Sequence, residues 1–365
     1  MIYNLKSQND FSGFYIVFNG AVLNETPKSF GVSHIIEHLL CKQFEDLYDD
    51  FDRFGINWNA FTSNNNVVFH MTGLDEYINM YKDKLLNSLL QFNITEEQFN
   101  TEKNIILQEY IDHFQDQGDA HYSNVMRYYL GHYGPIGKYE SLNNLTYTNM
   151  LKFYNIYMKK PSIIINVSKY SEFSGYTDFA KLNNNNYKTS DTKIIIEKRA
   201  DFDKSSIIGY KLIVEDFCYI KFIIAILSGS LKSPFYNELR EKRGLTYGVS
   251  TFINSISANQ GLLSTSLVTD NENVDEVLNV YKEILTNPSV YLTEERFNIM
   301  KDFYTVLFRK NEINRYSKIG HLISPEKWNI EPILNDITFE GIMAAYEKHF
   351  KYEDFRWSVD KRDFK

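Results

Sequence analysis

Cysteine is nearly absent from this chain. Its two cysteines in 365 residues, Cys41 and Cys218, lie in different halves and form no metal-type spacing. That excludes a disulfide framework and a cysteine-built zinc site, and a reducing, cytoplasmic setting is the expectation. Basic runs are missing as well. The 39 Lys and Arg against 47 Asp and Glu leave a net charge of −8, so no nucleic-acid footprint is present. Nor is there a hydrophobic run that could span a bilayer. The most apolar stretch, Phe217 to Leu227, is interrupted by Lys221 and falls well short of about 20 residues, so no membrane partner is expected. Met1 to Gly20 lacks the basic, apolar and small-residue order of a secretory leader. An apolar content of 43% with 24% charged residues is that of a globular protein, and the length suits two domains.

Histidine is scarce too, with eight in the chain, yet two of them fall four apart in His34-Ile35-Ile36-Glu37-His38. A chance occurrence in so histidine-poor a chain is on the order of one per cent. On a helix, residues i and i+4 share a face, so both imidazoles can converge on one ion. Glu37 leans to the same side, placed to take a proton from a water at that ion. Zinc accepts imidazole and carboxylate and keeps a position open for water, and H-x-x-E-H is the inverted zinc-hydrolase motif. The plainer reading is an amphipathic helix with solvated histidines.

Such a centre needs a third ligand. Thr95-Glu96-Glu97-Gln98 is a capping box that opens a helix running to about Gln115. On it Glu102 and Glu109 are seven apart and share a face with Phe99, Ile105 and Ile106 nearby. Carboxylates on a partly buried face need a cation or a donor to offset desolvation. Alone the pair would read as a solvated acidic edge; beside His34 and His38 it reads as part of a metal centre.

The chain also repeats itself. Thr95 to Asn100 recurs as Thr293 to Asn298, and Leu145 to Lys169 aligns without gaps on Ile337 to Lys361, pairing Tyr154 with Tyr346. By the first offset Glu102 corresponds to Met300 and Glu109 to Leu307, and the second half has no matching histidine pair. The coupled loss of histidines and carboxylates is explained by a metal role and not by a scaffold role. The organisation predicted is a catalytic domain over 1–182, a polar linker over 183–192 and a degenerate second domain over 193–365. Each is α+β, with strands near Gly13 to Phe18, Trp58 to Thr72 and Ser162 to Val167 in the first half. In the second half they lie near Ser206 to Val214, Thr246 to Ile256, Gly261 to Val268 and Phe355 to Val359.

With these segments in view, nearly the whole chain resembles the pitrilysin and mitochondrial-processing-peptidase family of zinc peptidases. His34, Glu37 and His38 match its signature. Glu109 falls at its third-ligand position, and Glu102-Lys103-Asn104 matches its accessory carboxylate. Asn59-Ala60-Phe61-Thr62-Ser63 resembles the strand at the cleft edge where a substrate peptide pairs. Tyr236-Asn237-Glu238-Leu239-Arg240 with Gly244-Leu245-Thr246-Tyr247 resembles the motif whose Arg and Tyr hold the substrate backbone. The chain departs from the family where its first closing strand ends in Ser168-Lys169-Tyr170 rather than a Gly-Asp-like turn.

The resemblance implies two duplicated α+β domains of the processing-peptidase-like metallohydrolase fold, each a mostly antiparallel sheet covered by helices. It implies a zinc endopeptidase acting on short or unfolded peptides in a closed chamber. Zinc would be held by His34, His38 and Glu109, with Glu37 as general base and Glu102 assisting catalysis from behind the ligands. Asn59, Ala60, Phe61, Arg240 and Tyr247 would bind substrate. In the family's longer members the metal and Arg/Tyr pieces lie in the first and fourth domains, which implies a homodimer here. The alternative is a silent or one-armed subunit of a heterodimeric complex.

Overall fold

The computed structural model describes residues 1–131, 133–182, 204–313, 316–323 and 328–360. In chain order the first elements are β1 (Ile2–Lys6), β2 (Phe11–Asn19), α1 (Val32–Lys42), α2 (Tyr48–Phe54), β3 (Asn57–Thr62) and β4 (Asn66–Leu74). There follow α3 (Asp75–Leu90), α4 (Glu96–His113), α5 (Gln117–Leu130), α6 (Tyr139–Asn143), α7 (Tyr147–Phe153) and β5 (Ile163–Ser168). The second series is β6 (Lys204–Ile213), α8 (Phe217–Ser228), α9 (Pro234–Tyr236), β7 (Val249–Ser257), β8 (Gln260–Asp270) and α10 (Val274–Thr286). It closes with α11 (Pro288–Tyr291), α12 (Glu294–Ile313), α13 (Tyr316–Ile323), α14 (Phe339–His349) and β9 (Arg356–Asp360).

The fold is α+β in two units. The first sheet has the order β1-β5-β2-β4-β3, with β1 parallel to β5 and the other pairs antiparallel. β2 is apolar without interruption from Phe14 to Phe18 because both faces of its sheet are covered. Phe14, Ile16 and Phe18 pack with Val32, Ile35, Ile36 and Leu39 of α1, whereas Tyr15 and Val17 face Val68, Ile163, Ile165 and Ile319. The stretch near Trp58 to Thr72 is not one strand but a hairpin. Ser63 turns the chain by donating its N–H to the carbonyl of Asn66 at 2.8 Å. β1 adds an edge strand that the sequence reading did not include. After β5, Asp75 accepts from the hydroxyls of Ser12 and Ser168, and Phe173 packs edge-on against Phe14 at 4.9 Å.

In the second unit the order is β7-β8-β6-β9, all antiparallel. The apolar helix α8 fills the core on one face. On the other, Val125, Met126, Tyr129 and Leu130 of α5 pack on Ile208, Tyr210, Ile256 and Leu262.

The duplication persists down to hydrogen bonds. The hydroxyl of Tyr154 donates to the carbonyl of Leu89 and that of Tyr346 to the carbonyl of Leu285, both at 3.0 Å. Lys103 reaches the carbonyls of Asn143 and Leu145, and its counterpart Lys301 those of Asn335 and Ile337.

The units are not continuous in sequence. Residues 116–131, which carry α5, belong to the second unit, and α13 belongs to the first. A boundary drawn once along the chain, near residue 182, does not capture this, because each helix follows the apolar sheet face it covers. The linker placed at 183–192 lies outside the described residues.

His121 anchors α5. Its Nδ1 lies 2.9 Å from Ser206 Oγ and its Nε2 2.7 Å from Ser358 Oγ, all three residues being buried. Burial depresses the imidazole to about 4, below the unfolded value of about 6.5. The neutral ring's contribution is therefore intact above about pH 6.5 and is lost as pH falls toward 4, since the unfolded chain takes the proton first. His121→Phe would strand both hydroxyls at about 1–3 kcal/mol each. Urea unfolding should show that loss at pH 7.5 and a gap to wild type that narrows on acidification; a gap independent of pH would remove His121 from the linkage.

Candidate metal centre and peptide cleft

α1 packs against both the first sheet and α4: Ile35, Ile36, Leu39 and Leu40 are buried, while His34, His38 and Lys42 face the carboxylates of α4. The capping box is formed: Thr95 Oγ1 accepts from the N–H of Gln98, whose side chain accepts from the N–H of Thr95. This fixes the start of α4 and the phase of its carboxylates. His34 and His38 project together, with ring centroids 4.8 Å apart and planes at 89°.

Glu109 faces both rings. Its carboxylate oxygens lie 3.7 Å from His34 Nε2 and 3.9 Å from His38 Nε2, and one ligand atom from each residue falls within 4.8 Å of the others. Those gaps are too long for hydrogen bonds, yet close to the separation of about 3.4 Å between donors sharing a tetrahedral ion at about 2.1 Å. His34 Nδ1 is buried with no hydrogen-bond partner among the described residues. Burial, helped by the neighbouring His38, lowers the His34 imidazole to about 4, so it is neutral at physiological pH, the form that coordinates a metal. Two imidazoles and a carboxylate fit zinc.

Glu102, 3% exposed, stands one layer back. Its Oε2 lies 3.3 Å from His38 Nδ1, and its Oε1 lies 3.5 Å from the ammonium of Lys42, which also pairs with Glu45 at 2.7 Å. The two carboxylates, two turns apart on α4, thus bracket the His38 ring. Glu37 is 7% exposed. Burial pushes its carboxyl up, while the hydroxyl of Thr62, donating to Oε2 at 2.7 Å, pulls it back. Thr62 ends β3, the free edge strand, on which Trp58, Ala60 and Thr62 are the less exposed positions and Asn59 and Phe61 the exposed ones. Beside Glu37 opens a pocket of about 280 Å³ lined in part by Cys41, Tyr48, Trp58, Asn59, Ala60 and Ile105. Burial and the carboxylates of Glu37 and Glu102 push the Cys41 thiol up, away from thiolate chemistry.

Arg240 and Tyr247 belong to the second unit. The Arg240 guanidinium lies between the rings of Tyr236 and Tyr247, 4.8 and 4.5 Å from their centroids, and donates to the Tyr236 hydroxyl. Tyr247 is 86% exposed. The sequence reading did not single out Thr62, Lys42 or Tyr236 for these partnerships. Only the alternation of β3, which puts Thr62 on the side of Ala60, offered a signal for the first.

Residues 1–129 match the profile of insulinase (peptidase family M16), and residues 215–303 match that of the peptidase M16 inactive domain, together well over half of the chain. The chain belongs to peptidase family M16, the pitrilysin family. Among M16 relatives, an uncharacterized zinc protease of Rickettsia felis is 22% identical over 89% of this chain and 86% of that protein. Among solved structures, a protease from Helicobacter pylori shares the fold with a TM-score of 0.82 at 14% identity, over 99% of this chain and 96% of that one. A peptidase M16 inactive domain from Pseudomonas fluorescens gives 0.77 at 16% identity, over 98% of this chain and 94% of that one. Among the described residues no helix is long and apolar enough to cross a membrane.

This M16 geometry separates the two carboxylates of α4. His34→Ala and Glu109→Ala are expected to lose zinc on dialysis, whereas Glu102→Gln should retain it with affinity lowered about ten- to a hundredfold. Elemental analysis checks this; equal and complete loss in Glu102→Gln would put Glu102 among the ligands.

Proposed function

We propose that this chain is a zinc-dependent endopeptidase that cleaves short or unfolded peptides. The observation that carries the reading is the convergence of His34, His38 and Glu109 within 4.8 Å, with the buried carboxylate of Glu37 one residue from His38. Zinc held there would acidify a water and polarise the scissile carbonyl.

The chain's own residues supply the rest. Glu37, its carboxyl raised by burial toward the working pH, takes a proton from the attacking water and delivers it to the leaving amine. Thr62 holds that carboxylate in one orientation. Glu102 accepts from Nδ1 of His38, which leaves Nε2 free to face Glu109. The free edge of β3 pairs with an extended substrate by main-chain hydrogen bonds, which selects unfolded segments over folded ones. The pocket walled by Tyr48 and Trp58 receives one substrate side chain. Arg240 and Tyr247 donate to substrate carbonyls or to the developing oxyanion. A buried general base, held by Thr62 beside the ligand set, has no use in a silent scaffold, which weighs against that second reading.

Glu37→Gln is expected to keep zinc and fold while cleavage of an unstructured peptide library drops by at least about a hundredfold. Retained cleavage would remove Glu37 from the reaction.

Each chain carries the His34/His38/Glu109 cluster in its first unit and the Arg240/Tyr247 pair in its second. A homodimer in which each supplies what the other needs completes two sites, and closed two-fold pairs are the commonest oligomers. Mixing inactive Glu37→Gln with inactive Arg240→Ala protein under subunit exchange should restore activity toward about a quarter of wild type, given about half mixed dimers with one intact site of two. No recovery despite demonstrated exchange would sink completion in trans.

A further inference from the structure

The metal helix begins in an unusual way. The cap position of α1 is Gly31, at φ 93° and ψ 0°, and it offers no side chain to the orphan amides of the first turn. A Cβ there would lie 2.6 Å from Leu142 Cδ2 and 3.2 Å from Gly137 Cα, and the φ of 93° strains any residue with a side chain, so the Ser, Thr, Asn or Asp that ordinarily caps a helix is disfavoured. Gly137 is locked from its own side, since its Cβ would meet the Gly31 Cα at 2.5 Å.

The acceptor comes instead from six residues upstream. Glu25 Oε2 accepts the N–H of Gly31 at 2.7 Å, and Glu25 Oε1 accepts the N–H of Ser33 at 2.9 Å. Between them the N–H of Val32 donates to the carbonyl of Ser29 at 3.0 Å. One carboxylate therefore clamps both ends of the opening segment, with its charge at the helix end that favours an anion. His34 is the third residue of α1, within the turn that frays first. The buried Val32 and Ile35 seat the turn on the sheet, and the Glu25 carboxylate ties its leading amides.

We propose that Glu25 is a positioning residue for the metal centre, fixing the first turn of α1 so that His34 meets His38 and Glu109 in register. The proposal rests on His34 being a zinc ligand. It assigns Glu25 no contact with substrate or ion; the residue acts through the Gly31 and Ser33 amides alone.

The test compares wild type, Glu25→Gln and Glu25→Ala at pH 8, above the value of about 7 to which burial pushes this carboxyl. Gln keeps the shape but has one acceptor oxygen for two donors; Ala has none. Amide hydrogen exchange at Gly31 and Ser33 in metal-free protein should accelerate in the order wild type, Gln, Ala. Zinc affinity by chelator competition should weaken in the same order, by about ten- to a hundredfold for Gln. The visible bands of the cobalt-substituted protein should shift, and kcat should fall with KM little changed. A folded Gln variant with wild-type zinc affinity and cobalt spectrum overturns the proposal. Loss of fold in both variants, read by near-ultraviolet circular dichroism, overturns it too by making Glu25 a folding residue. The metal readouts decide Glu25 even where wild type cleaves no peptide, a result that would overturn the peptidase reading alone.

Discussion

Desolvated carboxylate is the constraint on which the rest of the first unit depends. Glu37 and Glu102 are both nearly inaccessible between α1, α4 and β3, and burying such groups without compensation costs several kcal/mol each. Every neighbouring choice follows from that cost. Thr62 gives Glu37 a hydroxyl, while His38 and Lys42 face Glu102. A cation shared by the two imidazoles and Glu109 would offset what these partners leave over. The same desolvation raises the Glu37 carboxyl, so the feature that burdens stability is the one the proposed general-base role requires.

The second unit answers the constraint by deletion. With no histidine pair to serve, the positions matching Glu102 and Glu109 are Met300 and Leu307, and Met300 packs against the apolar core. The hydrogen bonds of Lys103 and Tyr154 survive at Lys301 and Tyr346 because they brace helices, a need common to both copies. Comparing the copies thus separates residues kept in both halves from residues particular to the first.

How much was legible in the sequence follows the same division. Local rules placed His34 and His38 on one helical face, opened α4 at Thr95 and put Glu102 and Glu109 on a common face, because each depends on spacing within one element. The repeat identified the α+β class. What spacing cannot give is partnership between elements. Nothing local marks Thr62 as the partner of Glu37, or Glu25 as the cap of α1, since each lies on a different element from the group it serves. β1 was missed because its pairing partner, β5, lies some 160 residues away. The membership of α5 and α13 was illegible for a related reason: a helix shows which of its own faces is apolar but not which sheet it will cover.

That last feature has a consequence for synthesis on the ribosome. The elements around the metal centre, α1, β3 and α4, are all translated by His113. The outer face of their sheet, with Tyr15, Val17, Val68, Ile163, Ile165 and Val167, gains the cover of Ile319, Leu322 and Ile323 when α13 emerges. At about 5–20 residues per second, the nascent first unit would wait on the order of ten seconds or more with a complete centre and that apolar face without α13. The exchanged helix makes the final folding of the first unit a late event, coupled to the arrival of the second half of the chain.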